Sequence, residues 1–391
     1  MVDDREVGAR YPLAFHYELN GGGEVVDLER EDTGGPVGHP YDPNKIDIVT
    51  RPLSVGLILS RLRKGGIDLQ PDFQRNAGIW SDTNQSRLIE SMLLRIPLPA
   101  FYAAENAGDI WAIVDGTQRL TAISRFIDPE SVHLPPLVLR DLNYLDFNGS
   151  RFADLPGQLQ TRLEETELVL HLIRLGTPEE AKFNIFARLN TGGLPLTTQE
   201  LRHALIPGPA RELLAELAAS VEFQQATVGS ANRSRMADRE MVLRFIAFLR
   251  SDPGEYDDWD FDHFLREAMH SINGLASHEI DDLRVTFRRV MTASRAIFGN
   301  DAFRRLYDRR TGRNPINKAL FEAVSVGLAK RTSEQVNELC AASSEVVAAL
   351  TELMNSDSRF GASISTMAGE PPKVQTRFKR IDDLFARFDG S

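Results

Sequence analysis

The chain has 391 residues and a formal net charge of −11, from 45 Lys and Arg residues against 56 Asp and Glu residues. This acidic balance argues against a protein coated for nonspecific nucleic-acid binding, although a local basic patch is compatible with it. A hydrophobic content of 42% suffices for buried cores, and the length predicts two or three domains. The single cysteine, Cys340, excludes an internal disulfide and a cysteine-based zinc cluster.

The N-terminal residues bear on the cellular compartment. The opening decapeptide MVDDREVGAR is acidic and has no apolar core, and no apolar run in the chain approaches the roughly 20 residues of a membrane span. We therefore expect a cytoplasmic protein without a membrane partner. Residues 1–45 are rich in glycine and proline, which predicts an irregular arm or a loose hairpin.

Residues 46–206 are predicted to form a small mixed α/β domain, because short apolar runs alternate there with helical spacing. The predicted strands cover residues 46–49, 67–69, 101–104, 110–114, 137–139, 147–152 and 168–175. Helices are predicted after Ser54, after Ser81, from Thr117 and near Gln158. Beyond Pro207 the apolar spacing of three and four residues is helical almost throughout, so residues 207–391 are predicted to form a helical domain and the fold class is α+β.

The most informative stretch is residues 110–127, IWAIVDGTQRLTAISRFI. It predicts a buried strand, a turn at Asp115 and Gly116, and then a helix. A strand that turns sharply into a helix presents unpaired N–H groups and the positive end of the helix dipole, which suits an anion such as phosphate. A structural alternative has even weight on these residues alone, namely that Asp115 and Thr117 cap the helix while Arg119 is solvated.

Two further polar loops are candidates for ligand binding. In the loop at residues 70–75, Pro71 forces Gln70 to be extended, so that Gln74 and Arg75 are displayed, although Arg75 is equally suited to a surface ion pair. The loop at residues 190–193, Asn-Thr-Gly-Gly, separates two helices that each begin with a capping-box pattern. Such a loop offers backbone amides and an asparagine side chain to a ligand, or it merely connects a helical hairpin.

A local basic segment lies between residues 281 and 313. It holds nine arginines and few acids, of which we single out Arg304, Arg305, Arg309 and Arg310 as candidate DNA contacts. An ordinary charged helix face, with its acids supplied from elsewhere in the fold, explains the same residues and is favoured by about two to one.

Five blocks in a fixed order carry a resemblance to a known family. They are QPDFQR (70–75), LIESMLLRIPLP (88–99), IVDGTQRLTAI (113–123), FNIFARLNTGGLPLTTQELRHA (183–204) and RMADREMVLRFIAF (235–248). This order resembles the family of the N-terminal domain of GmrSD-type restriction endonucleases, whose hallmark is DGQQR. The resemblance covers residues 46–249 closely and the remaining helices loosely. It implies a ParB/sulfiredoxin-like α/β domain followed by a mainly helical domain.

The resemblance also implies a function. Family members act in defence against foreign DNA, and the DGQQR turn is associated with binding and hydrolysing nucleoside triphosphates. Carried over residue by residue, the catalytic set is Asp115, Gln118 and Arg119, with Asp115 also holding Mg²⁺ or another divalent cation. The implied nucleotide-binding residues are Gln74, Arg75, Gly116, Thr117, Asn190, Gly192 and Gly193.

Two departures from the family pattern qualify this interpretation. Thr117 stands where the hallmark has its first glutamine, which alters a hydrogen bond to nucleotide or water. The late histidines, His263, His270 and His278, form no HNH-type cluster, so we expect no nuclease activity in this chain. A Walker A sequence is absent as well, which excludes a P-loop mechanism.

The sequence thus predicts a nucleotide-binding protein, a metal-dependent NTPase, in a restriction or phage-defence system. The alternative is a noncatalytic DNA-sensing or regulatory subunit that controls a separately encoded nuclease. The implied partners are a nucleoside triphosphate, DNA, and a separately encoded nuclease or ATPase subunit. A third hypothesis, a degenerate domain that only scaffolds an assembly, rests on Thr117 alone.

Overall fold

The computed structural model describes residues 17–19, 25–29, 41–69, 80–189, 196–230, 234–306, 313–365 and 367–389. Near the N-terminus, strand β1 (Tyr17–Leu19) pairs with the antiparallel strand β2 (Val25–Glu29). The sequence predicted either an irregular arm or a loose hairpin for this region, and the strand pair corresponds to the hairpin.

A mixed five-stranded sheet forms the centre of the first half of the chain. Its strands are β3 (Ile48–Ser54), β4 (Ile67–Asp68), β5 (Phe101–Asn106), β6 (Ile110–Asp115) and β7 (Glu167–Ile173). Their spatial order is β3-β7-β5-β6-β4. The β3/β7 and β5/β6 pairs are antiparallel, whereas β5/β7 and β4/β6 are parallel. The adjacent strands β5 and β6 bury apolar side chains on both faces, with Ala103 and Ile113 in one apolar cluster and Ala104 and Val114 in another, as expected of strands covered from two sides.

Helices cover one face of this sheet. They are α1 (Val55–Arg63), α2 (Asp82–Leu93), α3 (Thr117–Ile127) and α4 (Gly157–Glu165). The hydroxyls of Ser54 and Ser81 cap α1 and α2, as the sequence predicted. Leu59, Ile89 and Ile123 join the inward side chains of the sheet in one buried apolar cluster.

The opposite sheet face packs against α5 (Glu179–Leu189) and α6 (Thr198–Leu205). Phe186 and Leu201 belong to the same apolar cluster as Phe245 and Phe287 of the helical half. The helices of that half are α7 (Pro209–Ala219), α8 (Val221–Thr227), α9 (Ala237–Arg250), α10 (Phe261–Asn273), α11 (Ser277–Phe298), α12 (Lys318–Ala329), α13 (Ser333–Ala341), α14 (Ser343–Ser356), α15 (Ser358–Ser363) and α16 (Pro371–Phe385). The α+β fold class is thereby confirmed. Within the described ranges, no helix combines the length and the apolar character required to cross a bilayer.

The predicted strands at 137–139 and 147–152 are wrong. The main chain of Leu139 exchanges two hydrogen bonds with Gly149 and Ser150, but no regular strand forms. The loop between them is held instead by the buried carboxylate of Glu90, which accepts N–H groups from residues 143–145 at 2.7–3.0 Å. Burial raises the pKa of Glu90, but these donors outweigh it and lower the pKa below its ordinary value.

Candidate functional site

Strand β6 ends in a β-bulge next to the candidate site. Tyr102 of β5 lies opposite Asp115, whereas the next residue, Ala103, lies opposite Ile113. Val114 is therefore the extra residue of the bulge. Bulges bend a strand and redirect the neighbouring side chain, and they are frequent beside active sites. Here the bulge lies immediately before the turn that carries Asp115.

Gly116 makes the turn from strand to helix. Its φ of 94° and ψ of 5° are left-handed, a region in which glycine carries little steric cost. A Cβ atom at this position would also lie 2.4 Å from Cδ1 of Phe101, so no other residue fits without a shift of the ring. No side chain in the described part of the chain caps helix α3. The first-turn amides of α3 therefore have no side-chain acceptor among the described residues, which is the arrangement that an anion could occupy.

Arg119 stabilises this turn through hydrogen bonds to the main chain and to Asp115. Its Nη2 donates to Oδ2 of Asp115 at 2.9 Å and to the carbonyl oxygen of Ala100 at 3.2 Å, and its Nη1 donates to the carbonyl oxygen of Pro99. The guanidinium carbon lies 4.5 Å from the ring centroid of Phe101. Burial lowers the pKa of Arg119, and Asp115 opposes that shift.

The two partners of this ion pair differ in exposure. The Arg119 side chain is 11% exposed and the Asp115 side chain is 38% exposed. Asp115 is thus the member of the pair that faces solvent, while Arg119 is directed at the main chain. The arrangement makes Arg119 a group that orients Asp115.

The side chains of Thr117 and Gln118 point to protein partners. The Thr117 hydroxyl is buried and donates to the carbonyl oxygen of Ile113 at 3.3 Å, so it faces the strand. Oε1 of Gln118 accepts the N–H of Trp80 at 3.2 Å. Nε2 of Gln85 donates to the carbonyl oxygen of Trp80 at 2.6 Å, which fixes Trp80 from its other side.

Gln74 and Arg75 lie outside the described residues. Strand β4, which precedes them in the chain, is parallel to β6 and pairs with its first half through Ile67 and Trp111. Trp80, the first described residue after them, donates its N–H to Oε1 of Gln118 in the first turn of α3.

Asn190, Gly192 and Gly193 likewise lie outside the described residues. The helix that follows them, α6, packs against β6. It begins at Thr197 with the predicted capping box, in which the Thr197 hydroxyl accepts the Glu200 N–H and Glu200 accepts the Thr197 N–H.

A buried charged cluster beside α6 was missed by sequence reasoning. Glu200 pairs with Arg235 at 3.1 Å, and Arg235 and Met236 have φ values of 66° and 59°, a strained pair for residues other than glycine. Nδ1 of His203 lies 3.5 Å from Nη1 of Arg239.

Burial, with Arg211 and Arg239 adding to it, lowers the pKa of His203 to about 2, so its ring is neutral. The blocks TTQELRHA and RMADRE contained these residues. Only the proximity of the two blocks in space, which a single sequence does not give, reveals that they form one cluster.

The candidate DNA contacts Arg304 and Arg305 are buried, which corrects that interpretation for both. Arg304 is 1% exposed and donates to the carbonyl oxygens of Asn314 and Thr227 and to the Ser230 hydroxyl. Arg305 donates to the carbonyl oxygen of Ile364 and to the Ser365 hydroxyl. Both guanidinium groups tie helical segments together, and neither is accessible to a phosphate. Arg309 and Arg310 lie outside the described residues.

Among the described residues, no cluster of three or more His, Cys, Asp or Glu side chains could hold a metal ion. Asp115 is a single carboxylate, which is compatible with Mg²⁺ because this ion commonly uses one or two carboxylates together with substrate phosphates.

Comparison with known proteins identifies part of the chain. Residues 55–207 match the model of the family described as "GmrSD restriction endonuclease, N-terminal domain". The matched segment contains the Asp115 turn and helices α1 to α6, so the resemblance seen in the sequence blocks is confirmed there. A search of curated proteins found no match.

Proposed function

We propose that this chain, whose residues 55–207 match the GmrSD restriction endonuclease N-terminal domain, binds and hydrolyses a nucleoside triphosphate at the Asp115 turn in a restriction or phage-defence system. The observation that carries the proposal is the N-terminus of α3, which no described side chain caps, beside the solvent-facing Asp115 carboxylate that Arg119 holds. Amides and a helix dipole bind phosphate, and a carboxylate next to them supplies the group that hydrolysis requires.

The proposed chemistry is mainly electrostatic. The backbone N–H groups at the start of α3 hold phosphate oxygens, and they need no reorganisation because Gly116 and Phe101 fix the turn. Asp115 orients the attacking water or holds a divalent cation together with the phosphates. When bound, such a cation would neutralise charge on the phosphate oxygens.

The roles of the hallmark residues follow from their contacts. Arg119 is a positioning residue, since its guanidinium holds Asp115 and two main-chain oxygens. Gln118 positions Trp80, the first described residue after Gln74 and Arg75 in the chain. Arg75 and Asn190 remain predicted ligand contacts.

Of the candidate DNA contacts, the two that the structure describes, Arg304 and Arg305, are buried and therefore do not support the alternative of a DNA-sensing subunit. The proposal also includes no HNH chemistry in this chain. His263 contacts Asp258 at 3.0 Å and His270 contacts Glu179 at 2.8 Å, so the two histidines have different carboxylate partners.

The test is release of inorganic phosphate by the purified chain with Mg²⁺ and each ribonucleoside triphosphate in turn. Asp115→Asn should lower turnover by about 100-fold or more, since it removes a charged group next to the reacting phosphates. Asp109→Asn is the matched control, because Asp109 forms an ion pair with Arg61 at the other end of β6. Its turnover should stay within about twofold of the wild type.

Thermal unfolding of each variant separates loss of chemistry from loss of fold. Unchanged turnover in a folded Asp115→Asn variant would overturn the assignment of Asp115. A wild-type chain that neither binds nor hydrolyses any of the nucleotides would overturn the proposed function as a whole.

A further inference from the structure

Four side chains form a row across the sheet that leads away from the Asp115 turn. Thr50 of β3 is in register with His171 of β7, His171 with Tyr102 of β5, and Tyr102 with Asp115 of β6. These strands are adjacent in the sheet. Residues directly opposite each other in a regular ladder project from the same sheet face, so the side chains of Thr50, His171 and Tyr102 share one face, and Asp115 lies beside Tyr102 across the bulge.

This face is covered over part of its area. Ala104, Val114 and Ile173 are buried in the same cluster as the helices α5 and α6, and Tyr102 packs against that cluster. Toward β3 the face is more open, since Ile48 is 44% exposed and Val169 is 41% exposed. Within the row Thr50 is exposed and both rings are half-buried.

The two rings form a fixed aromatic surface. Their centroids are 4.8 Å apart with an interplanar angle of 32°. The Thr50 hydroxyl lies 2.9 Å from Nδ1 of His171, which holds the imidazole in place. Within the described ranges, the Tyr102 hydroxyl and Nε2 of His171 have no hydrogen-bond partner. The surface thus combines ring faces with two polar groups that a ligand can engage.

We propose that Tyr102 and His171 form the surface that stacks against the base of the nucleotide bound at the Asp115 turn. This inference rests on the proposed function and adds the substrate contact that lies beyond the phosphates. Neighbouring strands are about 4.8 Å apart, so Tyr102 lies one strand and His171 two strands, or about 10 Å, from Asp115. With its phosphates on the α3 amides, a nucleotide has its base over these rings.

A nucleobase fits this surface better than a purely aliphatic or purely charged group. Bases stack on aromatic side chains because every base has a π-face, and their edges accept and donate hydrogen bonds. Val169 precedes His171 by two residues on β7 and Ile48 precedes Thr50 by two residues on the antiparallel β3, so these two exposed apolar side chains flank the row on opposite sides. Asp115 is the only Asp, Glu, Lys or Arg in the row, so the phosphates are expected at the helix terminus and the base over the rings.

The test is isothermal titration of the full chain with the four ribonucleoside triphosphates and with inorganic tripolyphosphate, which has no base. Tyr102→Ala should weaken binding of the best nucleotide by about 5- to 150-fold, the range measured for loss of one stacking partner. Binding of tripolyphosphate should not change. His171→Ala should act in the same direction, whereas Tyr102→Phe should retain binding because it keeps the ring.

Tyr144→Ala is the matched control, since Tyr144 is 79% exposed and belongs to the loop held by Glu90. It should bind both ligands as the wild type does. Thermal unfolding and sedimentation of each variant accompany the titrations.

The outcomes separate the inference from the proposed function. Equal nucleotide affinity in the wild type and Tyr102→Ala, or equal weakening of nucleotide and tripolyphosphate, would overturn the stacking role. A change of oligomeric mass in Tyr102→Ala without a change in nucleotide affinity would instead assign this face to a second copy of the chain.

The wild type tests the proposed function separately. If it binds tripolyphosphate and binds no nucleotide more tightly than tripolyphosphate, the phosphate site is retained and the stacking role is rejected. Binding of neither ligand would remove the proposed function itself.

Discussion

Strand β6 has an aspartate–arginine pair at each end, and the two pairs look alike in isolation. At one end Arg119 contacts Asp115 at 2.9 Å and lies 4.5 Å from the ring centroid of Phe101. At the other end Arg61 contacts Asp109 at 2.7 Å and lies 3.7 Å from the ring centroid of Trp111.

The surroundings of the two pairs differ. Asp109 is 66% exposed in the hairpin turn between β5 and β6, whereas Asp115 adjoins the glycine turn into α3. The ion pair is therefore no indication of a site by itself. The packed glycine and the helix terminus are what distinguish the Asp115 end.

The largest expected difference between the two ends of β6 is the stability cost of replacing the glycine at each end. Gly116→Ala should destabilise the fold by roughly 3 kcal/mol, because it adds the cost of left-handed backbone to a clash with Phe101. Gly108→Ala, with a φ of 78° and nothing within 4 Å of the added carbon, should cost only roughly 1 kcal/mol. Urea unfolding of both variants measures the difference, and equal costs would show that Gly116 is not held by packing.

The arginines provide a second, smaller contrast. Arg119→Met should cost about 2 kcal/mol, because the carbonyl oxygens of Pro99 and Ala100 lose their donors in a partly buried position. Arg61→Met should cost about 1 kcal/mol or less, since Asp109, the partner of Arg61 in the hairpin, is 66% exposed. Equal free energies of unfolding in the two variants would show that the two arginines stabilise the fold to the same extent.

The smallest effect is a pH dependence at the hairpin end. The hydrogen bond from Arg61 lowers the pKa of Asp109 below its ordinary value of 3.8. A lowered folded-state pKa means that the stabilisation is present above the unfolded-state value and is lost as pH falls through the folded-state value. Asp109→Asn should therefore flatten the acid limb of the urea midpoint below about pH 4. A wild-type slope in the variant would show that this ion pair does not contribute.

The strand, turn and helix at residues 110–127 could be predicted because their signals are local. A β-branched run, an Asp-Gly dipeptide and helical spacing all lie within one short window. The directions in which the Thr117 and Gln118 side chains point could not be predicted, because they are set by hydrogen bonds to Ile113 and Trp80. The same limit applies to Arg304, whose carbonyl partners lie at Asn314 and Thr227.

The incorrect strands at 137–139 and 147–152 illustrate a different limit. Their apolar runs are real, and Leu137 and Leu139 are buried. The N–H groups of Leu137 and Leu139 donate to the carbonyl oxygens of Arg125 and Ser150, and the Glu90 side chain, from a helix about fifty residues earlier, accepts the N–H groups of residues 143–145 between the two runs. Apolar patterning predicts that such residues are buried, but it does not say which group satisfies their amides.

The shared apolar cluster restricts how this architecture can be recombined. Phe186 and Leu201 lie within the matched segment, yet they are buried together with Phe245 of the helical half. The buried Arg202 side chain forms an ion pair with Asp262 of α10. A chimera that joins residues up to 207 to helices from another protein would have to supply both the apolar surface and the acid. Exchange of helical halves among relatives is thus expected to succeed only when α5 and α6 are transferred together with the helices that they contact.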